Sequence, residues 1–137
     1  MTLDEIATIL GDALDDQRWA EAFYAVVIAK FGTVRPFITI IEAERRHGDA
    51  LLRQFDRLGL PVPANRWLGR MPPPETLRDA CAAAIAAGQD NIALYDRLLP
   101  EIDDAAVAQV LGNLQRTARE NHLPAFQRWL ARHDERA

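Results

Sequence analysis

The chain is poor in the residues that mark several protein classes. It contains one cysteine, Cys81, so it cannot form an internal disulfide. No apolar run reaches the ~20 residues of a membrane-spanning helix, and the N-terminal residues lack the basic start and apolar stretch of a signal peptide. These absences lead us to expect a cytoplasmic protein without a membrane partner.

Basic stripes are also missing. The net charge is -4, and both signs are interspersed along the chain, so no surface is predicted to neutralise a phosphate backbone. We therefore expect no nucleic-acid partner. The 137 residues fit one domain, 1–137, and a composition that is 49% hydrophobic but only 7% aromatic is typical of a helical protein rich in alanine.

Apolar spacing predicts two helices in the first half of the chain. Thr2 can cap a helix over about 3–31 that Gly32 ends. Pro36 suits the first position of a second helix, which continues until Gly59. The proline-rich stretch 60–74 is then too rigid and too poor in backbone donors for regular structure.

Two further helices are predicted in the second half. The third begins near Glu75 and ends at Pro100, and Asp103 or Asp104 caps the fourth. Pro124 should kink the fourth helix just after His122. The predicted fold is all-α, a four-helix bundle of two helix hairpins joined by a long Pro-rich crossover.

The two halves of the sequence resemble each other. In the first half Gln17 lies seven residues before Tyr24, and Glu44-x-x-His47 follows. The corresponding positions of the second half are Gly88, Tyr95, Arg119 and His122. Residues three apart share a helix face, so the carboxylate and imidazole of Glu-x-x-His project together. Only the first half has this pair intact.

Several polar residues fall on the apolar faces of the predicted helices or, in the case of Glu21 and Arg119, at the edges of these faces. They are Gln17, Glu21, Tyr24, Glu44, His47, Asn91, Tyr95, Arg119 and His122. Burying them together would form one polar layer across the core. Such a layer is costly unless its members are paired, so something must satisfy Glu44.

The sequence resembles a bacterial ferritin-like, rubrerythrin-like domain. The segments that carry the resemblance are Ala13-Leu14-Asp15-Asp16, Lys30-Phe31-Gly32, Arg35-Pro36-Phe37, Ile41-Glu42-Ala43-Glu44-x-x-His47, Asn91-Ile92-Ala93-Leu94-Tyr95-Asp96 and Asn121-His122-Leu123-Pro124-Ala125-Phe126. The resemblance implies a di-iron site with one Glu from each of helices one and three and a Glu-x-x-His from each of helices two and four.

This sequence keeps only part of the ligand set that the resemblance implies. Glu44, His47 and His122 are the expected metal ligands that remain. The carboxylates expected at positions 17, 88 and 119 are replaced by Gln, Gly and Arg. We expect a degenerate di-iron site that is at most a reduced metal-binding site.

Three arrangements of the polar layer stay open at this point. Arg119 could replace the metals and form a buried ion pair with Glu44. Alternatively, Glu44, His47 and His122 could bind one iron or another divalent metal. The third arrangement recruits replacement ligands from Glu21, Asp90 and Glu120.

The arrangements correspond to different functions. The first arrangement predicts a ferritin-like protein without catalytic activity. The others predict an iron-binding protein or an active metal-dependent oxidase or peroxidase that acts on dioxygen or peroxide. Whether the protein is an enzyme, whether it forms a homodimer and which protein partner it has are not determined by the sequence.

Overall fold

The computed structural model describes residues 1–134, and all regular secondary structure in this range is helical. The helices are α1 (Leu3–Phe31), α2 (Phe37–Leu58), α3 (Leu77–Leu98), α4 (Ala105–Thr117) and α5 (Leu123–Asp134). A 3-10 turn, Leu99–Glu101, follows α3, and a π-helical turn, Ala118–His122, connects α4 to α5. In this part of the chain no helix is long and apolar enough to cross a bilayer.

Local capping residues explain most helix boundaries. The hydroxyl oxygen of Thr2 accepts a hydrogen bond from the Glu5 amide, and the Asp104 carboxylate accepts one from the Val107 amide. Gly59 ends α2 in the left-handed conformation, with φ 67°, which glycine adopts without steric cost. The predicted caps at Thr2, Asp104 and Gly59 are therefore confirmed.

Two helix starts differ slightly from the prediction. The third helix begins at Leu77 rather than near Glu75, because the hydroxyl oxygen of Thr76 caps it by accepting from the Asp79 amide. Pro36 flanks α2 instead of occupying its first position, and α2 begins at Phe37.

The predicted fourth helix is interrupted at the π-helical turn. The Leu123 amide donates to the Ala118 carbonyl, five residues back, instead of the four-residue spacing of an α-helix. Pro124 follows at once and has no amide to restore regular spacing. The irregularity predicted near Pro124 is present, but it lies just before Leu123 and takes the form of a wider helical turn.

The apolar core consists of two clusters. Helix α1 packs along α2, and α3 packs chiefly against α5 and the π-helical turn. The first cluster is Ile6, Leu10, Ala13, Leu14, Leu51, Phe55, Tyr95, Val107, Leu111 and Leu114. The second cluster is Phe23, Tyr24, Val27, Phe37, Ile40, Ile41, Ala80, Cys81, Ala84 and Phe126.

The crossover between α2 and α3 is bound to α1 by polar contacts. The Arg66 guanidinium donates two hydrogen bonds to the Asp15 carboxylate, at 2.8 and 2.7 Å, and stacks over the Trp67 ring. The Trp67 indole N–H also donates to Asp15, at 3.1 Å. Arg18 donates to the Pro63 carbonyl oxygen, so contacts fix the crossover at two places.

Candidate functional site

A cavity of about 450 Å³ lies inside the helical bundle, and its wall contains members of both core clusters. Seven of the predicted polar residues line it: Gln17, Tyr24, Glu44, His47, Asn91, Tyr95 and His122. The other two, Glu21 and Arg119, are not among the lining residues. The structure therefore brings most of the predicted layer together around a single space.

The centre of the site is the carboxylate of Glu44, whose side chain is 12% exposed. One of its oxygens lies 3.4 Å from Nδ1 of His122, and the other lies 3.8 Å from Nδ1 of His47. Burial acts to raise the pKa of Glu44, but the two imidazoles, His122 foremost, outweigh it and hold this pKa below its ordinary value. Glu44 is therefore a carboxylate at neutral pH.

The predicted ion pair between Glu44 and Arg119 is wrong. The Arg119 side chain is 53% exposed, and its guanidinium donates to the Asp96 carboxylate at 3.2 Å. Asp96 also accepts from the side-chain amide of Gln115, a residue of α4. Arg119 belongs to the π-helical turn, and its side chain forms an exposed ion pair with Asp96 instead of entering the layer around Glu44.

Gln17 bridges two helices instead of projecting as a free ligand. Its amide nitrogen donates to the backbone carbonyl of Glu44 at 2.7 Å and to the side chain of Glu21 at 2.9 Å. A methyl group on Gly48 would lie 2.8 Å from the Gln17 side-chain oxygen, so glycine is what leaves room for this amide. Glu21 acts as a hydrogen-bond acceptor for Gln17 and is not directed at the histidines as a replacement ligand.

The side of the cavity formed by α3 has no side chain at position 88, and its charged lining residues, Asp90 and Arg97, are exposed. Gly88 leaves open space there, since a methyl group at this position would meet only the Leu123 side chain, at 3.9 Å. Asn91 and Tyr95 line the wall beside it. Tyr95 is 1% exposed, and no described residue approaches its hydroxyl closely enough for a standard hydrogen bond, although the neighbouring Asn91 side chain acts to lower its pKa as a weak partner would.

Each imidazole taken separately lies close enough to Glu44 for the two to share a metal ion. Atoms that bind one zinc-sized ion at about 2.0–2.2 Å lie within about 4.2 Å of each other, and both imidazole-to-carboxylate distances at Glu44 are shorter than this. For a second ion, position 88 offers no side chain and Gln17 is engaged in hydrogen bonds. In the described part of the chain, no group of three or more His, Cys, Asp or Glu side chains is placed so that it could hold a metal ion.

Sequence reasoning missed three residues of this region. Gly48 was not distinguished from other helical glycines, although its place one residue after His47 puts it beside the layer. Gln115 and Asp16 were overlooked because each lies beside an apolar stripe rather than within it. A search for buried amides would have found Gln115, which is 7% exposed and also donates to the Ile92 carbonyl.

The weaker candidates occupy structural positions. Burial raises the pKa of the Cys81 thiol to about 12, which keeps it protonated at neutral pH. His133 stacks on the Trp129 ring at 3.7 Å, away from the cavity. Of the proposed replacement ligands, Asp90 lines the cavity and is exposed, whereas Glu120 is exposed and does not line it.

Comparison with known proteins supports the fold alone. The chain matches no protein family and no curated protein. Its structure is similar to that of a hypothetical protein from Methanococcus jannaschii DSM 2661. The TM-score is 0.84 at 21% sequence identity, and the match covers 98% of this chain and 83% of the archaeal one. This helical architecture therefore occurs in a protein of very different sequence.

Proposed function

We propose that this protein is a ferritin-like protein whose di-iron centre is reduced to a site for at most one divalent transition metal. Three residues would hold the ion: Glu44, His47 and His122. Two histidines and one carboxylate are the ligand set of many mononuclear iron sites. The observation that carries the proposal is that both imidazoles of the polar layer face the Glu44 carboxylate, which forms no ion pair with an arginine or lysine among the described residues.

The arrangement of the helices supports the ferritin-like assignment. Four consecutive helical stretches, the last with a π-helical turn, surround a cavity, and a long proline-rich connection separates the second stretch from the third. The residues that we propose as ligands come from α2 and from the π-helical turn, and all of them line this cavity. The π-helical turn places His122 in the interior, and turns of this kind are frequent at functional sites.

The ion would supply positive charge where the fold has left a buried carboxylate. Without it, Glu44 depends on the two imidazoles for compensation, because a buried ionised carboxylate without a partner is costly. Convergence on one ion requires the imidazoles to turn toward the same side of Glu44. Their ring centroids are 5.9 Å apart, so neither ring blocks the other.

Metal titration of tag-free protein tests the proposal. We expect at most one Co²⁺ or Fe²⁺ per chain, with the Co²⁺ absorption bands lost in Glu44→Gln and His122→Asn. Glu42→Gln and His133→Asn are matched controls, since both side chains are exposed and lie outside the cavity. Two irons per chain with an oxo-bridge absorption band would overturn the reduced site, and binding unchanged by Glu44→Gln would overturn the ligand assignment.

The competing function is an active oxidase or peroxidase. Two buried tyrosines, Tyr24 and Tyr95, line the same cavity as Glu44, and tyrosine next to a redox metal can be oxidised. Burial raises the pKa of both phenols far above the ordinary value, so they stay protonated. Rapid consumption of dioxygen or peroxide by the iron-loaded protein, lost in Glu44→Gln, would favour this function over a passive metal site.

A further inference from the structure

The cavity has a second polar end that the metal proposal does not use. Tyr95 lies there with its hydroxyl buried and unpaired among the described residues. Leaving a buried donor without a partner is costly, and native structures contain few such groups. A molecule in the cavity, water or an organic ligand, would therefore gain a hydrogen bond at this hydroxyl, beside the one partner, Asn91, that acts on it.

The size and lining of the cavity suit a small organic molecule. Its volume of about 450 Å³ is within the range of sites for small ligands. Small side chains form much of the wall, including Ala84, Ala87 and Ala118, and Phe126 adds an aromatic surface. Gly88 keeps the α3 side open, where the resemblance to ferritin-like proteins implies a glutamate.

The charges near Tyr95 favour a cationic group. After burial, the charge that raises the pKa of the Tyr95 hydroxyl most is that of the Asp16 carboxylate, and the carboxylates of Glu44 and Asp12 follow. Glu44 already faces two imidazoles, whereas Asp16 forms no ion pair with a described residue. Partial burial of the carboxylate, helped by the neighbouring Asp15 charge, raises the pKa of Asp16 and outweighs the opposing effects of the Asn91 side chain and the Arg66 guanidinium.

Both signs of charge are present near the exposed rim of the cavity. Asp16 and Asp90 are exposed lining residues, and Arg97 is an exposed lining residue of opposite sign. The two carboxylates outnumber the guanidinium. Together with the buried Glu44, they make the interior more attractive to a cation than to an anion.

We propose that this cavity binds a small amphiphilic amine, whose ammonium group donates hydrogen bonds to the Tyr95 hydroxyl and the Asp16 carboxylate. The apolar body of the ligand would pack against the alanines and Phe126. This site is distinct from the proposed metal site, because neither Tyr95 nor Asp16 is one of the expected metal ligands. The inference therefore does not rest on the proposed function.

A set of three probes with the same apolar body tests the charge preference. Binding of 2-phenylethylamine, 2-phenylethanol and phenylacetate is measured by calorimetry and by melting temperature, in the presence of a chelator. We expect the amine to bind at least about tenfold more tightly than either of the others, since one charge-assisted hydrogen bond is worth about 1.5–3 kcal/mol.

Variants locate the binding. Tyr95→Phe and Asp16→Asn should each weaken amine binding about tenfold, and Gly88→Leu should abolish it by filling the cavity. Gly112→Leu is the matched control, because it places the same side chain on α4 where nothing lies within 4 Å. Circular dichroism and melting curves verify that each variant is folded.

Three results would overturn the inference. Equal binding of the amine and the alcohol would show that charge is not recognised. Unchanged amine binding in Tyr95→Phe would show that the hydroxyl is not the contact. If the amine binds equally to Gly88→Leu and Gly112→Leu, or binds to neither, the cavity holds only water. Because the chelator removes metal, none of these results bears on the metal titration.

Discussion

Gly48 and Gln17 face each other across α1 and α2 at the level of the polar layer. The Gln17 amide donates to the Glu44 carbonyl oxygen, and thereby ties α1 to the helix turn that carries both Glu44 and His47. The absence of a side chain at Gly48 is what admits the amide. Glycine at position 48, in the middle of α2, is thus explained by the room that the hydrogen bond from Gln17 to the Glu44 carbonyl needs.

Comparing two glycine substitutions tests this relation. Replacing a helical glycine by alanine ordinarily stabilises a helix by about 0.5–1 kcal/mol, and we expect this gain for Gly112→Ala, which has open surroundings. Gly48→Ala should instead be less stable than Gly112→Ala by about 1–2 kcal/mol, because Gln17 must move and lose its hydrogen bonds. Urea unfolding measures both values.

A double-mutant cycle supplies the control. In a Gln17→Ala background, Gly48→Ala should give the ordinary glycine-to-alanine gain, since no amide remains to be displaced. The same penalty with and without Gln17 would mean that some other neighbour resists the added methyl group.

The residue-level predictions from sequence succeeded where a side chain lies in the middle of an apolar stripe. Glu44, His47 and His122 were assigned to the interior on this basis, and the structure places them around the cavity. Arg119 lies at the edge of its stripe. At this position a small rotation about the helix axis determines whether the side chain is buried or exposed. The choice at such a position depends on local backbone geometry that residue spacing does not contain.

At the scale of elements, capped helix ends were predictable and the π-helical turn was not. Thr2 and Asp104 act through hydrogen bonds to amides three residues away, so the signal is local in sequence. The π-helical turn depends on how α4 and α5 pack against α3, which involves residues far apart in the chain. Pro124 predicted a disturbance of the helix but not its kind.

The crossover is an element without regular structure that is nevertheless fixed to α1. Asp15 accepts three hydrogen bonds from Arg66 and Trp67, and these bonds join the middle of the crossover to the first helix. The hydrogen bonds from Arg66 hold the pKa of Asp15 below its ordinary value. The proline-rich sequence indicated a rigid connection. It did not reveal that this connection is bound to Asp15.

Asp15→Ala tests this attachment. We expect a loss of up to about 1 kcal/mol at neutral pH, since the contacts are partly exposed, together with faster proteolysis between residues 60 and 76. A carboxylate with a lowered pKa stabilises the fold above its unfolded-state pKa and loses this effect as the pH falls through the folded-state pKa. The difference from wild type should therefore shrink below about pH 4.

Asp12→Ala is the matched control, because Asp12 is an exposed aspartate one turn away on the same helix. It should leave both the proteolysis rate and the unfolding free energy close to wild type. Equal proteolysis of the crossover in Asp15→Ala and Asp12→Ala would mean that Arg18 and its bond to the Pro63 carbonyl hold the crossover without help from Asp15.

At the scale of the whole molecule, the polar layer and cavity occur where the two apolar clusters meet. Hydrophobic periodicity predicted the helices and the existence of the layer, because both follow from which face of each helix is apolar. The cavity itself could not be predicted. It depends on Gly88 of α3 standing opposite Leu123, at a distance that only the packed structure sets.

The last prediction is that a fuller metal centre can be rebuilt in this cavity. Gln17→Glu with Gly88→Glu adds two carboxylates, and the space at position 88 admits the new side chain. Without metal, the double variant should be less stable than wild type near neutral pH, because crowded carboxylates repel and the bond from Gln17 to the Glu44 carbonyl is lost. Added Mn²⁺ should raise its melting temperature with the logarithm of concentration, as mass action requires for a ligand of the folded state.

The matched control is Gln17→Glu with Gly112→Glu, which makes the same change in charge but places the second carboxylate on α4, away from the cavity wall. This control should be destabilised by the change at position 17 and should show a much smaller Mn²⁺ effect. Equal metal-dependent shifts in the two variants would mean that Mn²⁺ binds by general charge attraction. A folded Gly88→Glu variant with no shift would mean that Glu44, His47 and His122 do not form part of a metal centre.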